Sequence, residues 1–474
     1  MSAQTERSST DTRGGVSQRL TSRMLLAAVV SAISALLYGY DTGIISGALL
    51  QIRRDFSTGN GMEQLIAASI LFGAVLGAFG GSKLSERYGR RRTVLIIAAI
   101  FVVGTLACSL APSAVTLALA RVVLGFAVGA ATQTVPMYVA ELAPASKRGR
   151  LVLTFQIGIG TGIVIATLVG ASEAVSWRIS VGSAAVPALI MGLLLFRLPE
   201  SPRWLVKYDR VEDARTALRT VREDGSDVEP ELDEIVGLEK EEREAAASGN
   251  RGWRGLRKPW VRPALIVGCG IAIFTQLSGI EMIIYYAPTI LTDNGFSETA
   301  ALRVSVALGV TYLVMMIVGL AIVDKVGRRR LTLIMVPGAA LALGALGLLF
   351  VTGHSGREST PLIIACLVAF MFFNAGGLQL MGWLTGSEIY PLAARGAGTA
   401  AQSMTLWATN MLITLTLLTI IEGIGVGPTM WLYAAFNVAA WVFVFLRMPE
   451  LTGHSLESIE GQLRKGKFRP ADFR

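Results

Sequence analysis

The chain has 474 residues, 52% of them hydrophobic and 16% charged, with a formal net charge of +9. Soluble globular domains carry about 25% charged residues, and the deficit deepens outside the segment Glu200 to Lys258, where 27 of 59 residues are Asp, Glu, Lys or Arg. This excludes an ordinary soluble domain and points to a lipid-embedded chain; the basic residues cluster at the ends of apolar runs with no base-reading motif, which excludes nucleic acid as the partner.

Residues 1–22 are polar, with Arg7, Arg13 and Arg19. The apolar run that follows is too long for a secretory signal and has no cleavage site, so 1–22 is expected to be a disordered cytoplasmic tail. Apolar runs then lie at about 24–50, 62–84, 93–111, 115–140, 151–172 and 177–198. Six more follow at 261–291, 301–323, 331–352, 361–387, 397–421 and 428–447. Each can cross a hydrocarbon core of roughly 30 Å as a helix. The runs do not alternate apolar and polar residues as barrel strands would. The expected fold is therefore an all-α membrane protein of twelve transmembrane helices. It divides into a six-helix bundle at 23–198, a helical linker at 199–260, a second bundle at 261–448 and a C-terminal tail at 449–474.

Loops after even-numbered helices are rich in Arg and Lys, which places both termini in the cytoplasm by the positive-inside rule. Within the linker, Val211–Arg222 and Glu229–Ala245 read as short surface helices. The three cysteines, Cys108, Cys269 and Cys366, stand alone in apolar runs as packing residues. With only two histidines, His354 and His454, the sequence offers no metal site, and no cofactor is expected. There is no Gly-x-x-x-x-Gly-Lys-Ser/Thr loop for an ATP-driven pump. Gly158-Ile-Gly160-Thr-Gly162 has the wrong spacing for a dinucleotide and suits close helix packing.

The two halves repeat. Glu86-Arg87-Tyr88-Gly89-Arg90-Arg91 after helix two matches Asp324-Lys325-Val326-Gly327-Arg328-Arg329 after helix eight. Glu141-x-x-Pro144-x-x-x-Arg148-Gly149 after helix four matches Glu388-x-x-Pro391-x-x-x-Arg395-Gly396 after helix ten. Pro199-Glu200 ends helix six as Pro449-Glu450 ends helix twelve. Parallel six-helix repeats are a transporter arrangement, with the solute bound between them near the midplane.

These motifs, with Pro-Glu-Ser-Pro-Arg-Trp-Leu at 199–205, Gln-Leu-Ser-Gly-Ile at 276–280 and Tyr-Tyr-Ala-Pro at 285–288, resemble the sugar porters of the major facilitator superfamily from about residue 24 to 460. The resemblance implies alternating access by two rocking bundles and monosaccharide or polyol substrates. It implies a multi-pass protein of the cell membrane, with sugar, protons and the lipid bilayer as partners. A monomer and no enzymatic activity are expected.

Three ionisable residues stand far from any helix end: Asp41, Arg121 and Glu281. A charge in hydrocarbon costs about 2.5–3.5 kcal/mol even on insertion scales, so such residues are functional candidates. Their depths suit a meeting in the outer half of a central cavity. Burial favours the neutral form of a carboxylic acid and a nearby guanidinium favours the ionised one, so a mobile Arg121 makes Asp41 a proton switch. In sugar porters similar to this chain, an Asp in the matching Gly-Tyr-Asp-Thr segment goes with proton symport. A static ion pair is the competing reading.

The resemblance places sugar-binding positions at Gln156, Gln276, Tyr285, Trp383, Trp407 and Asn410, with Tyr38 on the face of Asp41. Amides serve sugar hydroxyls and aromatic faces serve ring C–H groups; interhelical hydrogen bonds and packing are the plainer alternatives. The chain departs from the porters' pattern at Thr275, usually a glutamine, at Glu281, usually an asparagine, and in lacking Gly-Pro before Trp383. Glu281 adds a second possible proton site or an affinity for an amine. The missing proline removes a built-in break, although Gly376, Gly377 and Gly382 let helix ten bend. At the inner helix ends, Glu86, Arg90, Arg91, Glu141, Arg148, Asp324, Arg328, Arg329, Glu388 and Arg395 form a candidate cytoplasmic gate. The function expected is proton-coupled symport, the alternatives being a sugar facilitator, a porter of a non-sugar solute and a sensor of the same fold.

Overall fold

The computed structural model describes residues 21–144, 148–172, 175–247, 252–353, 357–391, 394–452, 454 and 456–473. The expected N-terminal tail, apart from its last two residues, lies outside them. Eleven helices or joined helix pairs are long and apolar enough to cross a membrane, and a shorter apolar helix at Thr154–Gly170 makes the twelfth among the described residues.

The first span is α1, Ser22–Phe56, opened by the Thr21 hydroxyl accepting from the Met24 amide at 3.2 Å. At 1.5 Å per residue it is about 50 Å long, well beyond the hydrocarbon core. Arg53 and Arg54, expected in a loop after residue 50, instead sit in its last turn. The chain continues as α2 (Asn60–Tyr88), α3 (Arg90–Ser109), α4 (Ala114–Leu142) and α5 (Arg148–Gly170). The sixth span is two pieces, α6 (Trp177–Gly182) and α7 (Ala185–Leu195). The linker holds α8 (Pro202–Lys207), α9 (Val211–Val221), α10 (Glu229–Ala247) and α11 (Gly252–Leu256), and two of these are the helices expected there.

The second half starts with a broken span, α12 (Arg262–Leu277) and α13 (Ile280–Asp293). The break is Ser278-Gly279, and Gly279 has φ +95°, a conformation costly for any residue with a Cβ. Spans α14 (Glu298–Val326) and α15 (Arg328–Val351) follow. The tenth span is also broken, into α16 (Thr360–Ala375) and α17 (Leu378–Glu388), at Gly376-Gly377. The missing proline is therefore replaced by a glycine pair. Then come α18 (Arg395–Ile424), α19 (Val426–Arg447) and a short α20 (Leu456–Arg464).

Small residues set the spacing inside the first half. Gly39, Gly43 and Gly47 of α1 lie against the backbone or small side chains of Ile159, Ile163, Ala166 and Gly170 on α5. Gly158 and Gly162 of α5 answer against Ala32, Ala35 and Leu36. Gly73 and Gly77 of α2 interlock in the same way with Gly125 and Gly129 of α4. In lipid, where apolar side chains gain little by leaving their surroundings, such close backbone approach supplies the packing energy. The glycine run at 158–162 is thus a packing stripe, and Gly160 faces Leu313 of α14 in the other half.

The linker has its own small core of Trp204, Leu205, Ala214, Leu218, Val228 and Leu232. It is tied to the first half by Trp204 Nε1 donating to the Glu86 carbonyl at 2.8 Å and by Arg222 donating to the Leu142 carbonyl at 2.8 Å. The segment after α19, expected as a plain tail, folds back: Arg464 lies 4.4 Å over the Trp260 ring, and Phe468 and Phe473 are buried edge to face.

Candidate functional site

Asp41 on α1 and Arg121 on α4 meet inside the first half. Arg121 is 2% exposed, and its Nη1 lies 3.8 Å from Asp41 Oδ1. That is close enough for strong attraction but too long for a hydrogen bond. The Arg121 Nε donates instead to the Ile66 carbonyl of α2 at 2.8 Å. The guanidinium is therefore anchored by backbone and attracted by the acid at once. Such a pair can lose its acid's charge without leaving the cation wholly unpartnered.

Tyr38 lies one turn before Asp41 and joins the two halves. Its ring meets Trp407 of α18 at 5.4 Å and Trp383 of α17 at 6.5 Å, both edge to face, and the two tryptophans are 6.3 Å apart. Among the buried polar atoms without a protein partner are Gln156 Oε1, Gln276 Oε1, Glu281 Oε2, Trp407 Nε1 and Asn410 Nδ2. Leaving a buried polar group unpaired costs about 1–3 kcal/mol. Five such atoms from α5, α12, α13 and α18, helices of both halves, suit a hydroxylated solute, whose groups would satisfy them.

The broken seventh span positions Glu281. The turn at Gly279 starts α13 two residues before it, so Glu281 sits in that helix's first turn, where the helix dipole favours an acid. It lies within electrostatic reach of Tyr38, Tyr285 and Tyr312. Tyr285 is buried on α13, which packs against the α1 helix that carries Tyr38 and Asp41.

The structure brings Asp41 to Arg121 and Tyr38 to Trp383 and Trp407, and buries Glu281, Tyr285, Gln156, Gln276 and Asn410. Thr275 is fully buried, and its hydroxyl donates to the Ile271 carbonyl of its own helix at 2.7 Å, which leaves the oxygen as an acceptor.

At the linker end the repeated motifs form two matching clusters. Arg90 holds Glu141 by two hydrogen bonds of 2.9 and 3.0 Å, and Arg328 holds Glu388 at 3.0 and 3.2 Å. Both pairings are within a half. Asp324 reaches Arg328 at 2.6 Å, whereas its counterpart Glu86 is turned outward to Lys207 at 3.9 Å. Arg91 and Arg329 donate to carbonyls at the ends of the sixth and twelfth spans, those of Leu195 and Phe445, at 3.1 and 2.9 Å. Arg395 donates to the Tyr390 carbonyl at 3.4 Å, and the side chain of Arg148 lies outside the described residues.

Sequence reasoning missed the acids that organise these clusters. Glu200 accepts from the Arg90 and Arg91 amides at 2.8 and 3.0 Å, and Glu450 from the Arg328 and Arg329 amides at 2.9 and 3.1 Å. Each carboxylate caps the helix that starts after Gly89 or Gly327, where a Cβ would collide with it. The repeated Pro-Glu was the available signal. Asn374 was also missed; both polar atoms of its buried amide lack a partner beside the break in the tenth span.

The halves touch at the opposite end. Arg53 binds Glu63 within its half and Asp293 across the interface at 3.1 Å. Arg54 holds Glu298 at 2.9 and 3.1 Å, Gln64 donates to Thr419 at 3.1 Å, and Asn60 donates to Glu422. All of α1 from Leu37 to Leu50 and all of α13 from Ile280 to Leu291 is buried. The far end is thus closed across the interface, while the linker-end charges described above pair inside each half.

A two-bundle helical scaffold with a buried acid–base pair, an aromatic triad across the halves and buried unsatisfied amides defines a membrane carrier for small polar solutes. A family model described as sugar (and other) transporter matches residues 27–463, and the chain belongs to that family. It is 37% identical to the D-xylose transporter of Levilactobacillus brevis, over 91% of this chain and 94% of that one. It is 33% identical to the galactose-proton symporter of Escherichia coli, over 92% and 94%. The partially occluded inward open conformation of the xylose transporter XylE from E. coli superimposes with a TM-score of 0.77 at 26% identity, covering 92% of this chain and all of that one. The major facilitator fold implied by the resemblance is the fold the chain has.

Proposed function

We propose that the protein is a proton-coupled symporter of a monosaccharide or polyol, working by alternating access in the cell membrane. Asp41 carries the proton, Arg121 modulates it, and Tyr38, Gln156, Thr275, Gln276, Glu281, Tyr285, Trp383, Trp407 and Asn410 bind the solute. The observation that carries this reading is the 3.8 Å separation of Arg121 from Asp41, with the guanidinium also held by the Ile66 carbonyl. Protonation of Asp41 releases its hold on α4 without leaving Arg121 bare. Tyr285 and Tyr38 carry that change to the solute cluster.

By the positive-inside rule the linker end, with its arginine-rich loops, is cytoplasmic, and so are both termini. The arrangement is then inward-facing: the outer ends of the halves are pinned together and the inner charges are paired within each half. In the outward-facing state Glu141, Glu388 and the arginines of the two loops come together across the interface as the inner gate. The protein acts as a monomer, since each chain holds both halves of the site.

Purified protein in liposomes, offered radiolabelled pentoses, hexoses and inositols with and without an imposed pH gradient, tests the reading. One proton per solute supports about tenfold accumulation for each pH unit. Accumulation above equilibrium, abolished by a protonophore, is expected. Uptake that only equilibrates, whatever the gradient, makes the protein a facilitator.

A further inference from the structure

Resting on that reading of the site, we infer that the preferred solute carries a protonated amine: an amino sugar or an aminocyclitol rather than a neutral one.

The inference starts from charge. Asp41 and Arg121 balance one another. Glu281 is 3% exposed, and among the described residues no arginine, lysine or histidine forms an ion pair with it. Its Oε2 has no hydrogen-bond partner. The ionisable neighbours that feel it are tyrosines, Tyr38, Tyr285 and Tyr312, none of which brings a positive charge. An isolated buried carboxylate is costly unless a cation joins it or a proton neutralises it.

The surroundings favour the cation. The helix that carries Glu281, α13, packs against α1 and α18, which supply Tyr38 and Trp407 of the aromatic triad with Trp383. Aromatic faces beside an acid form the usual recognition chemistry for ammonium groups, because ring quadrupole and carboxylate attract the same charge. The unsatisfied Gln156, Gln276 and Asn410 atoms remain to take hydroxyls. The site therefore offers one anionic point, an aromatic wall and several neutral polar atoms, which matches a small polyol with a single amine. An ammonium bound at Glu281 makes the loaded site neutral before the Asp41 proton is counted.

The test uses the full-length protein in liposomes. Competition for binding is measured with 2-amino, 3-amino and 6-amino deoxyglucose, an aminocyclitol, and each one's hydroxyl parent, for the wild type and Glu281→Gln. The expected result is that at least one amine binds at least tenfold more tightly than its parent, the size of one charge-assisted hydrogen bond in a buried site. That ratio falls to about one in Glu281→Gln. Folding of the variant is followed by its thermal midpoint and size-exclusion profile, and because the readout is a ratio it does not depend on the variant's overall activity. Parents preferred throughout, or an amine preference that survives Glu281→Gln, overturns the inference. If the parents bind better and Glu281→Gln instead lowers the number of protons moved per solute, Glu281 is a second proton carrier and the inference is wrong. In both of those cases proton-driven uptake of the parents leaves the symport reading standing. A protein that moves neither parents nor amines with protons removes both.

Discussion

The contact between α2 and α4 fixes the geometry of the proton site, and Gly125→Ala tests it. A Cβ at Gly125 would overlap the Ile70 carbonyl oxygen. The helices would have to part by about 1.5 Å to restore an ordinary contact. Arg121 sits one turn before Gly125, and its 2.8 Å bond goes to Ile66, one turn before Ile70. The same movement therefore breaks that bond. Overpacking of this kind costs about 1–3 kcal/mol, and losing a charged hydrogen bond adds about 1.5–3 kcal/mol. Gly237→Ala is the control, because Gly237 lies in α10 with nothing within 4 Å of its Cβ position; alanine there should stabilise slightly. Thermal melting in detergent should show a clear drop for Gly125→Ala and none for Gly237→Ala. Proton-driven uptake should fall with the first and not with the second. If Gly125→Ala keeps both the wild-type midpoint and wild-type uptake, the α2–α4 contact does not set the position of Arg121.

The far-end contacts predict a shift in conformational balance. Arg54→Gln together with Asp293→Asn removes two cross-interface ion pairs, each partly exposed and worth about 0–1 kcal/mol. Distances between spin labels at the far ends of the halves should show an outward-open population several-fold larger, and an unchanged distribution would show that these pairs do not hold the closed end. Glu200→Gln removes the charge from the cap on α3 and should lower stability by about 1–2 kcal/mol. Glu450→Gln should do the same at α15, and chemical denaturation monitored by tryptophan fluorescence reads both. Gly279→Ala places a Cβ at φ +95° and against the Tyr433 ring; it should cost about 1–3 kcal/mol and weaken solute binding, as equilibrium binding of a labelled solute would report.

Much of the fold was legible because lipid imposes simple rules. Twelve apolar runs and three repeated motifs led to the two-half architecture, since each run must satisfy its own backbone. The buried charges at Asp41, Arg121 and Glu281 were legible for the same reason: hydrocarbon makes any ionisable residue conspicuous. What stayed hidden depends on backbone conformation or on partners far apart in sequence. Nothing local distinguishes the left-handed Gly279 from the packing glycines of α1 and α2. The cap formed by Glu200 needs the amides of Arg90 and Arg91, more than a hundred positions away. The cross-interface pairs of Arg53 with Asp293 and Arg54 with Glu298 stayed hidden, because those partners come from the other half. The motif acids Glu86 and Asp324 looked equivalent, and only the structure shows one turned to the linker and the other to its own arginine.

The account stands on a proton carried by Asp41, and one comparison reaches it directly. Wild type and Asp41→Asn are reconstituted side by side and assayed for solute exchange at equilibrium and for accumulation driven by a pH gradient. The account predicts that the variant still exchanges labelled for unlabelled solute but no longer accumulates it. Accumulation at the wild-type level by Asp41→Asn would contradict it.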